Sequence, residues 1–166
     1  MNIRLTIVLL ALSCCLGCGG SSDTQKAAVV GWAVGQGGVV HIQDQTLEVE
    51  KLVDMPKGDF EVAKIDLTES AIQDDDLQNL SVLPELTALT LHGTKISDEG
   101  LMHLTALKNL KELDLSDTNI TDLGLTTLQE IKSLEKLHLH DTAVTNKGLQ
   151  EFKTAVPGCN LYPAKR

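Results

Sequence analysis

The residues best suited to chemistry in this chain are histidines and aspartates, and the closest pair is His138 and His140, two positions apart. On an extended strand that spacing puts both imidazoles on one face. Asp114 and Asp141 fall beside them once the repeat described below is applied. The set has the composition of a metal site, or of a small metal-dependent hydrolase built on His138, His140 and Asp114. Zinc, however, needs three or four ligands converging on one ion. His92 shares a column with His140 but lies two rungs away, roughly 10 Å at strand spacing. The reading retained is a polar strand face with an Asp114–His138 pair, and no metal or cofactor is assigned. The run Asp74-Asp75-Asp76 lacks the alternating spacing of a calcium loop and suits a helix start, where carboxylates meet free N–H groups. No nucleophile elbow, phosphate-binding loop or His-Glu-x-x-His is present, so no catalytic residue is assigned and the chain is not read as an enzyme.

A repeat places these residues. Ile65, Leu89, Leu113, Leu137 and Leu161 stand 24 positions apart, as do Ile72, Ile96, Ile120 and Val144. A period of this length is the mark of a solenoid. Within each unit the spacing changes. Leu89-Thr90-Leu91 alternates like a strand, while Leu101, Leu104, Leu107 and Leu110 recur every three residues, which predicts one buried helical face. Leu125, Leu128, Ile131 and Leu134 repeat the pattern. Ser97-Asp98 and Thr121-Asp122 are placed to cap these helices. Gly100, Gly124 and Gly148 read as small residues that let neighbouring helices stack. Ser70, Thr94, Thr118 and Thr142 form a hydroxyl column whose expected task is to satisfy backbone groups in buried turns.

The units Leu86-x-x-Leu89-x-Leu91-x-x-Thr94-x-Ile96, Leu110 to Ile120 and Leu134 to Val144 resemble the leucine-rich repeat, with Thr in the Asn/Cys slot. Their length resembles the ribonuclease-inhibitor-like subclass. Thr121-Asp122-Leu123-Gly124-Leu125 resembles the Thr-Asp-x-Gly-Leu phrase of a group of bacterial leucine-rich-repeat proteins. The first unit departs from the later ones, with Ser70 in the slot of Thr94, Thr118 and Thr142 and Asp76 in the Gly slot of the phrase. The resemblance implies an α/β solenoid of about four strand–turn–helix units, with a parallel sheet on one side and helices on the other. It also implies a protein-binding scaffold.

The N-terminus reads differently. Arg4 and the apolar run Leu5–Leu12 form a signal segment over 1–17, too short for a membrane span. Leu16-Gly17-Cys18-Gly19-Gly20 resembles a bacterial lipobox, which makes Cys18 the expected lipid acceptor, with Cys14 and Cys15 as alternatives. Residues 18–25 read as a polar tether, 26–63 as an N-terminal cap with a helix over Ala27–Val34 and strands at Val39–Ile42 and Leu47–Leu52, and 64–166 as the repeat domain. Cys159 alone remains for the fold, as a core residue without a disulfide partner. Pro163 blunts the last strand.

The formal net charge of −9 argues against nucleic acid and against electrostatic membrane binding. The expected binding face is the solvent side of the sheet: Asp66, Thr90, His92, Asp114, Ser116, Asp117, His138, His140 and Asp141. Its rows are read as lacking Trp, Tyr, Phe and Arg. Glu112 is expected to pair with Lys136. Asp117 and Asp141, on adjacent rungs, are expected to repel unless a cation or basic group lies between them. The expectation is a lipid-anchored module of the bacterial cell envelope, facing the periplasm or exterior and binding an unknown protein or peptide. The alternatives are the metal-dependent enzyme and a structural envelope protein.

Overall fold

The computed structural model describes residues 22–43, 48–51 and 60–163. The signal segment 1–17, the acceptor Cys18 and its alternatives Cys14 and Cys15 lie outside these residues. The chain enters through α1 (Ser22–Gly35), followed by β1 (Val39–Ile42), β2 (Glu48–Val49) and β3 (Val62–Asp66). Then come a 3₁₀ helix (Asp74–Val82), β4 (Ala88–Thr90), a second 3₁₀ helix (Gly100–Ala106) and β5 (Glu112–Asp114). The order finishes with α2 (Asp122–Leu128), β6 (Lys136–Leu139), α3 (Asn146–Ala155) and β7 (Asn160–Pro163). One sheet runs β2-β1-β3-β4-β5-β6-β7. Strands β3 to β7 are parallel, and β1 is antiparallel to both its neighbours.

The 24-residue period is the sheet register. Ile65 pairs with Leu89, Leu89 with Leu113, Leu113 with Leu137, and Leu137 with Leu161. Ile65, Leu89, Leu113 and Leu137 point inward with Leu101, Leu104, Leu125 and Leu128 of the helical side, all buried, and the terminal Leu161 packs against them half-buried. The fold is a leucine-rich-repeat solenoid with an antiparallel cap.

The helical side departs from the sequence expectation. The first two units carry 3₁₀ helices, and only the later two carry α-helices. The helix expected over Leu101–Leu110 stops at Ala106, and beyond it Leu107 N–H donates to Leu104 O and Leu110 N–H to Leu107 O. Apolar residues every three positions match the three residues per turn of a 3₁₀ helix better than the 3.6 of an α-helix. The same spacing at Leu125, Leu128, Ile131 and Leu134 nevertheless carries an α-helix over Asp122–Leu128, so the spacing buries one face in either helix type without selecting between them.

The cap differs as well. Helix α1 begins at Ser22, so the second half of the expected tether, 22–25, is helical. Trp32 and Ala33 bury against the first rung, and Lys26 Nζ pairs with Glu61 Oε1 at 2.6 Å. Gly38 is tightly seated: a Cβ there would lie 2.7 Å from Asp66 O and 2.8 Å from a Leu67 methyl. The strand expected over Leu47–Leu52 is reduced to Glu48–Val49 among the described residues.

A bidentate clasp joins successive rungs at the helix starts. Asp74 accepts from Ser97 N (2.8 Å) and Ser97 Oγ (2.6 Å). Asp98 takes Thr121 N (2.9 Å) and Oγ1 (2.6 Å), and Asp122 takes Thr145 N (2.8 Å) and Oγ1 (2.6 Å). These aspartates were expected to cap their own helices, but they reach forward one rung instead. Thr121 and Thr145 do the capping, accepting from Leu123 N and Gly148 N at 3.2 Å each. The repeated glycines have the matching role: a Cβ at Gly100, Gly124 or Gly148 would collide with the carboxylate of Asp74, Asp98 or Asp122. They make room for the clasp rather than simply for close helix packing.

Each position of Thr-Asp-x-Gly-Leu now has a cause. Thr receives the previous clasp, Asp supplies the next, Gly leaves space and Leu enters the core. The first rung explains itself by the same logic. It has no preceding aspartate to accommodate, so position 76 can carry a side chain, and Asp76 Oδ2 accepts Gln73 N–H at 2.8 Å within its own rung. The two hydrogen bonds from Thr145, hydroxyl first and then backbone N–H, hold the Asp122 carboxyl below the usual 3.8.

Buried turns use the hydroxyl column as expected. Thr94, Thr118 and Thr142 donate to the carbonyls of Leu91, Leu115 and Leu139. Ser70 Oγ, in the first rung, is buried and has no hydrogen-bond partner among the described residues. Cys159 is buried, and its N–H donates to Val156 O as Leu134 N–H does to Ile131 O. It fills the slot of the unit-closing leucine, and burial pushes its thiol up to about 11.

Candidate binding face

The parallel register lines up the expected residues in rows across the open face of the sheet. Lys64, Ala88, Glu112, Lys136 and Asn160 form one row. Asp66, Thr90, Asp114, His138 and Tyr162 form the next. Tyr162 corrects the reading of a face without aromatics. It stands one period beyond His138, its ring stacks on the imidazole with centroids 4.5 Å apart and planes 10° from parallel, and it is 40% exposed. The signal was present in the sequence, because Leu161 already continued the inward leucine column and its neighbour had to continue the outward row.

Charge pairing is also redistributed. Lys136 Nζ meets Glu112 Oε2 at 3.3 Å, as expected. The carboxylate facing His138 Nε2, at 3.8 Å, is Glu112 and not Asp114, although Asp114 is its strand partner. The reason is local. Asp114 Oδ1 folds back to accept Ser116 N–H at 2.8 Å, and Asp66 Oδ1 does the same with Thr68 N–H at 2.9 Å. Short acidic side chains after a strand readily capture the N–H two residues on.

One step further along lie Thr68, His92, Ser116 and His140. Ser116 is buried, and its Oγ accepts His140 N–H at 3.3 Å, so it braces two rungs and leaves the binding set. His140 is exposed and His92 half-buried. Among the described residues no three His, Cys, Asp or Glu side chains are grouped to hold a metal ion.

Glu69, Gly93, Asp117 and Asp141 all have a left-handed backbone, with φ of 54°, 68°, 54° and 54°. In that conformation the N–H of Glu69, Gly93 and Asp117 turns to His92 O, Ser116 O and His140 O of the next rung. Asp and Gly tolerate left-handed φ better than most residues. Backbone geometry thus accounts for aspartates at 117 and 141 without a cation between them.

A depression of about 240 Å³ opens at the centre of the face. It exists because β4 contributes the small Ala88 and Thr90, while Lys64 and Asp66 of β3 and Glu112 and Asp114 of β5 rise on either side. His41, on β1, extends this lining from the cap, a contribution the repeat period could not reveal.

Residues 106–128 match the family described as Leucine Rich repeat. No curated protein matches the sequence. Among solved structures the chain is similar to the Chaetomium Mex67:Mtr2 subunits at 18% identity and a TM-score of 0.44, over 57% of this chain and 71% of that one. It is similar to a leucine-rich-repeat protein of Leptospira interrogans at 21% identity and a TM-score of 0.38, over 51% of this chain and 27% of that one. The ectodomain of the receptor kinase SOBIR1 from Arabidopsis thaliana aligns at 12% identity and a TM-score of 0.43, over 87% of this chain and 92% of that one.

Proposed function

We propose that this protein is a lipid-anchored binding module of the bacterial cell envelope that holds a partner protein on its concave sheet face. The observation that carries the reading is the contrast within each rung. Inward and helix-start positions repeat nearly unchanged, whereas the outward strand positions change from each rung to the next. A rigid scaffold with a varied polar face is suited to selective recognition. Stable attachment would come from lipid on Cys18, because the acidic domain has no charge attraction to anionic head groups.

A photo-crosslinking residue at Thr90 should capture the partner, and one at the exposed Met102 on the helical side should not. Capture at Met102 with none at Thr90 would sink the concave-face reading. Cys18→Ser should move the protein from the membrane to the soluble fraction. Acyl label persisting on that variant would move the anchor to another residue.

A further inference from the structure

We infer that the partner presents a basic extended segment, with one arginine guanidinium seated over Thr90 between Asp66 and Asp114. This inference rests on the concave-face reading and specifies the chemistry of its occupant.

The seat is set by strand register. Asp66 pairs with Thr90 and Thr90 with Asp114, so the two carboxylates flank a small side chain, one rung to each side. Two rungs are roughly 10 Å, too wide for the carboxylates to share one metal ion. A planar guanidinium has N–H donors on opposite edges and can address both. Each carboxylate already has one oxygen held in place: Asp66 Oδ1 by Thr68 N and Oγ1, and Asp114 Oδ1 by Ser116 N. The other oxygen of each accepts no hydrogen bond from a described residue. The depression supplies the volume, and the shortness of Ala88 and Thr90 keeps it open.

Charge complementarity selects the sign of the occupant. The outward rows carry Asp66, Glu69, Glu112, Asp114, Asp117 and Asp141 against Lys64 and Lys136, and Lys136 is engaged by Glu112. A cationic segment is therefore favoured over an acidic one or a phosphate backbone. The stacked His138 and Tyr162 continue the same row beyond Asp114. This flat, half-exposed aromatic step can take a second guanidinium face-on. Arginine, not lysine, suits both features, because an ammonium is a compact point charge without a plane to stack.

The test uses the full chain in detergent and three probes: tri-arginine, tri-lysine and tri-glutamate amides, followed by calorimetric titration. Tri-arginine should bind saturably and more tightly than tri-lysine, weaken as salt is raised, and tri-glutamate should not bind. Asp66→Asn and Asp114→Asn keep an oxygen for the local turn, so both should melt like the parent. Each should weaken tri-arginine about tenfold. Equal binding of tri-lysine, or unchanged affinity in both variants, overturns the inference. If crosslinking at Thr90 captures a partner while tri-arginine fails to bind, the basic-segment inference falls and the concave-face function stands. Crosslinking only at Met102 removes both.

Discussion

At the helix starts, Asp74, Asp98 and Asp122 are answered by Ser97, Thr121 and Thr145 in the same two-bond geometry. On the open sheet face the corresponding rows read Lys64, Ala88, Glu112, Lys136 and Asp66, Thr90, Asp114, His138. The same period governs both regions, yet one repeats its chemistry and the other does not. Where each rung must grip the next, the fold dictates the residue. Where the side chain faces solvent, it dictates only direction. The clasp closes its polar groups among themselves, while the face leaves several carboxylate oxygens open to a partner. Substitutions in the two regions should therefore separate stability from binding.

The largest effect belongs to neither polar region but to the core that both depend on. Leu113 is fully buried between Leu89 and Leu137. Leu113→Ala should lower stability by about 2–5 kcal/mol, read in denaturant melts. An unchanged midpoint would mean that the inward column has been assigned to the wrong face, and both polar regions would have to be redrawn with it.

Next comes the space reserved for the clasp. In an ordinary helix Gly→Ala is stabilising by roughly 1 kcal/mol. At Gly148 the sign should reverse, because every nearest neighbour of the added methyl belongs to Asp122. Overpacking of this kind costs about 1–3 kcal/mol. The decisive measurement is a double-mutant cycle. With Asp122→Ala already in place the methyl meets no carboxylate and only the retained Cβ, at 3.0 Å, so the cost of Gly148→Ala should shrink markedly. Additive effects would show that glycine is kept for helix packing, as the sequence alone had suggested, and not for the clasp.

Much of the architecture could be read before any coordinates, for reasons that mark the limits too. A leucine every 24 residues can point only one way in a parallel stack, so Leu89, Leu113 and Leu137 were placed correctly, and with them the outward rows. Pairings one side chain deep were less legible. Asp114 faced His138 by register but turned to Ser116 N–H, a choice made by a two-residue backbone turn. Ser116 looked outward by count but is buried beneath His140. His41 joined the face through an antiparallel cap strand that lies outside the period. Tyr162 is legible in the sequence, because Leu161 continues the inward column and its neighbour must continue the outward row. The clasp was visible only as a recurring phrase, since its two halves lie 23 residues apart.

The clasp should also be sensitive to acid. The Asp122 carboxyl is held below 3.8 chiefly by the Thr145 hydroxyl and N–H. A depressed folded-state value means that the ionised group stabilises the fold above the unfolded value, and that this contribution is lost as pH falls through the folded one. Asp122→Asn should therefore melt below the parent near neutral pH, and the gap should close below about pH 3.8. A gap that persists unchanged into strong acid would show that the charge of Asp122 adds nothing, leaving the clasp a matter of shape.

The smallest change in stability is expected on the open sheet face. Glu112 contacts both Lys136 and His138, but at 3.3 and 3.8 Å and with its side chain 40% exposed. Ion pairs so open to water contribute little, because solvent screens them and ordering two long side chains opposes them. Glu112→Gln should shift the melt by no more than about 0.5 kcal/mol. The same substitution removes one negative charge from the wall of the central depression and frees Lys136, a cation, to approach it. Tri-arginine affinity should fall, with a weaker dependence on salt. That result, beside the Gly148 cycle, would place stability in the repeating region and recognition in the varying one. If Glu112→Gln instead destabilised the fold as much as a blocked clasp, the outward rows would be structural, and their lack of repetition would need an explanation other than selective binding.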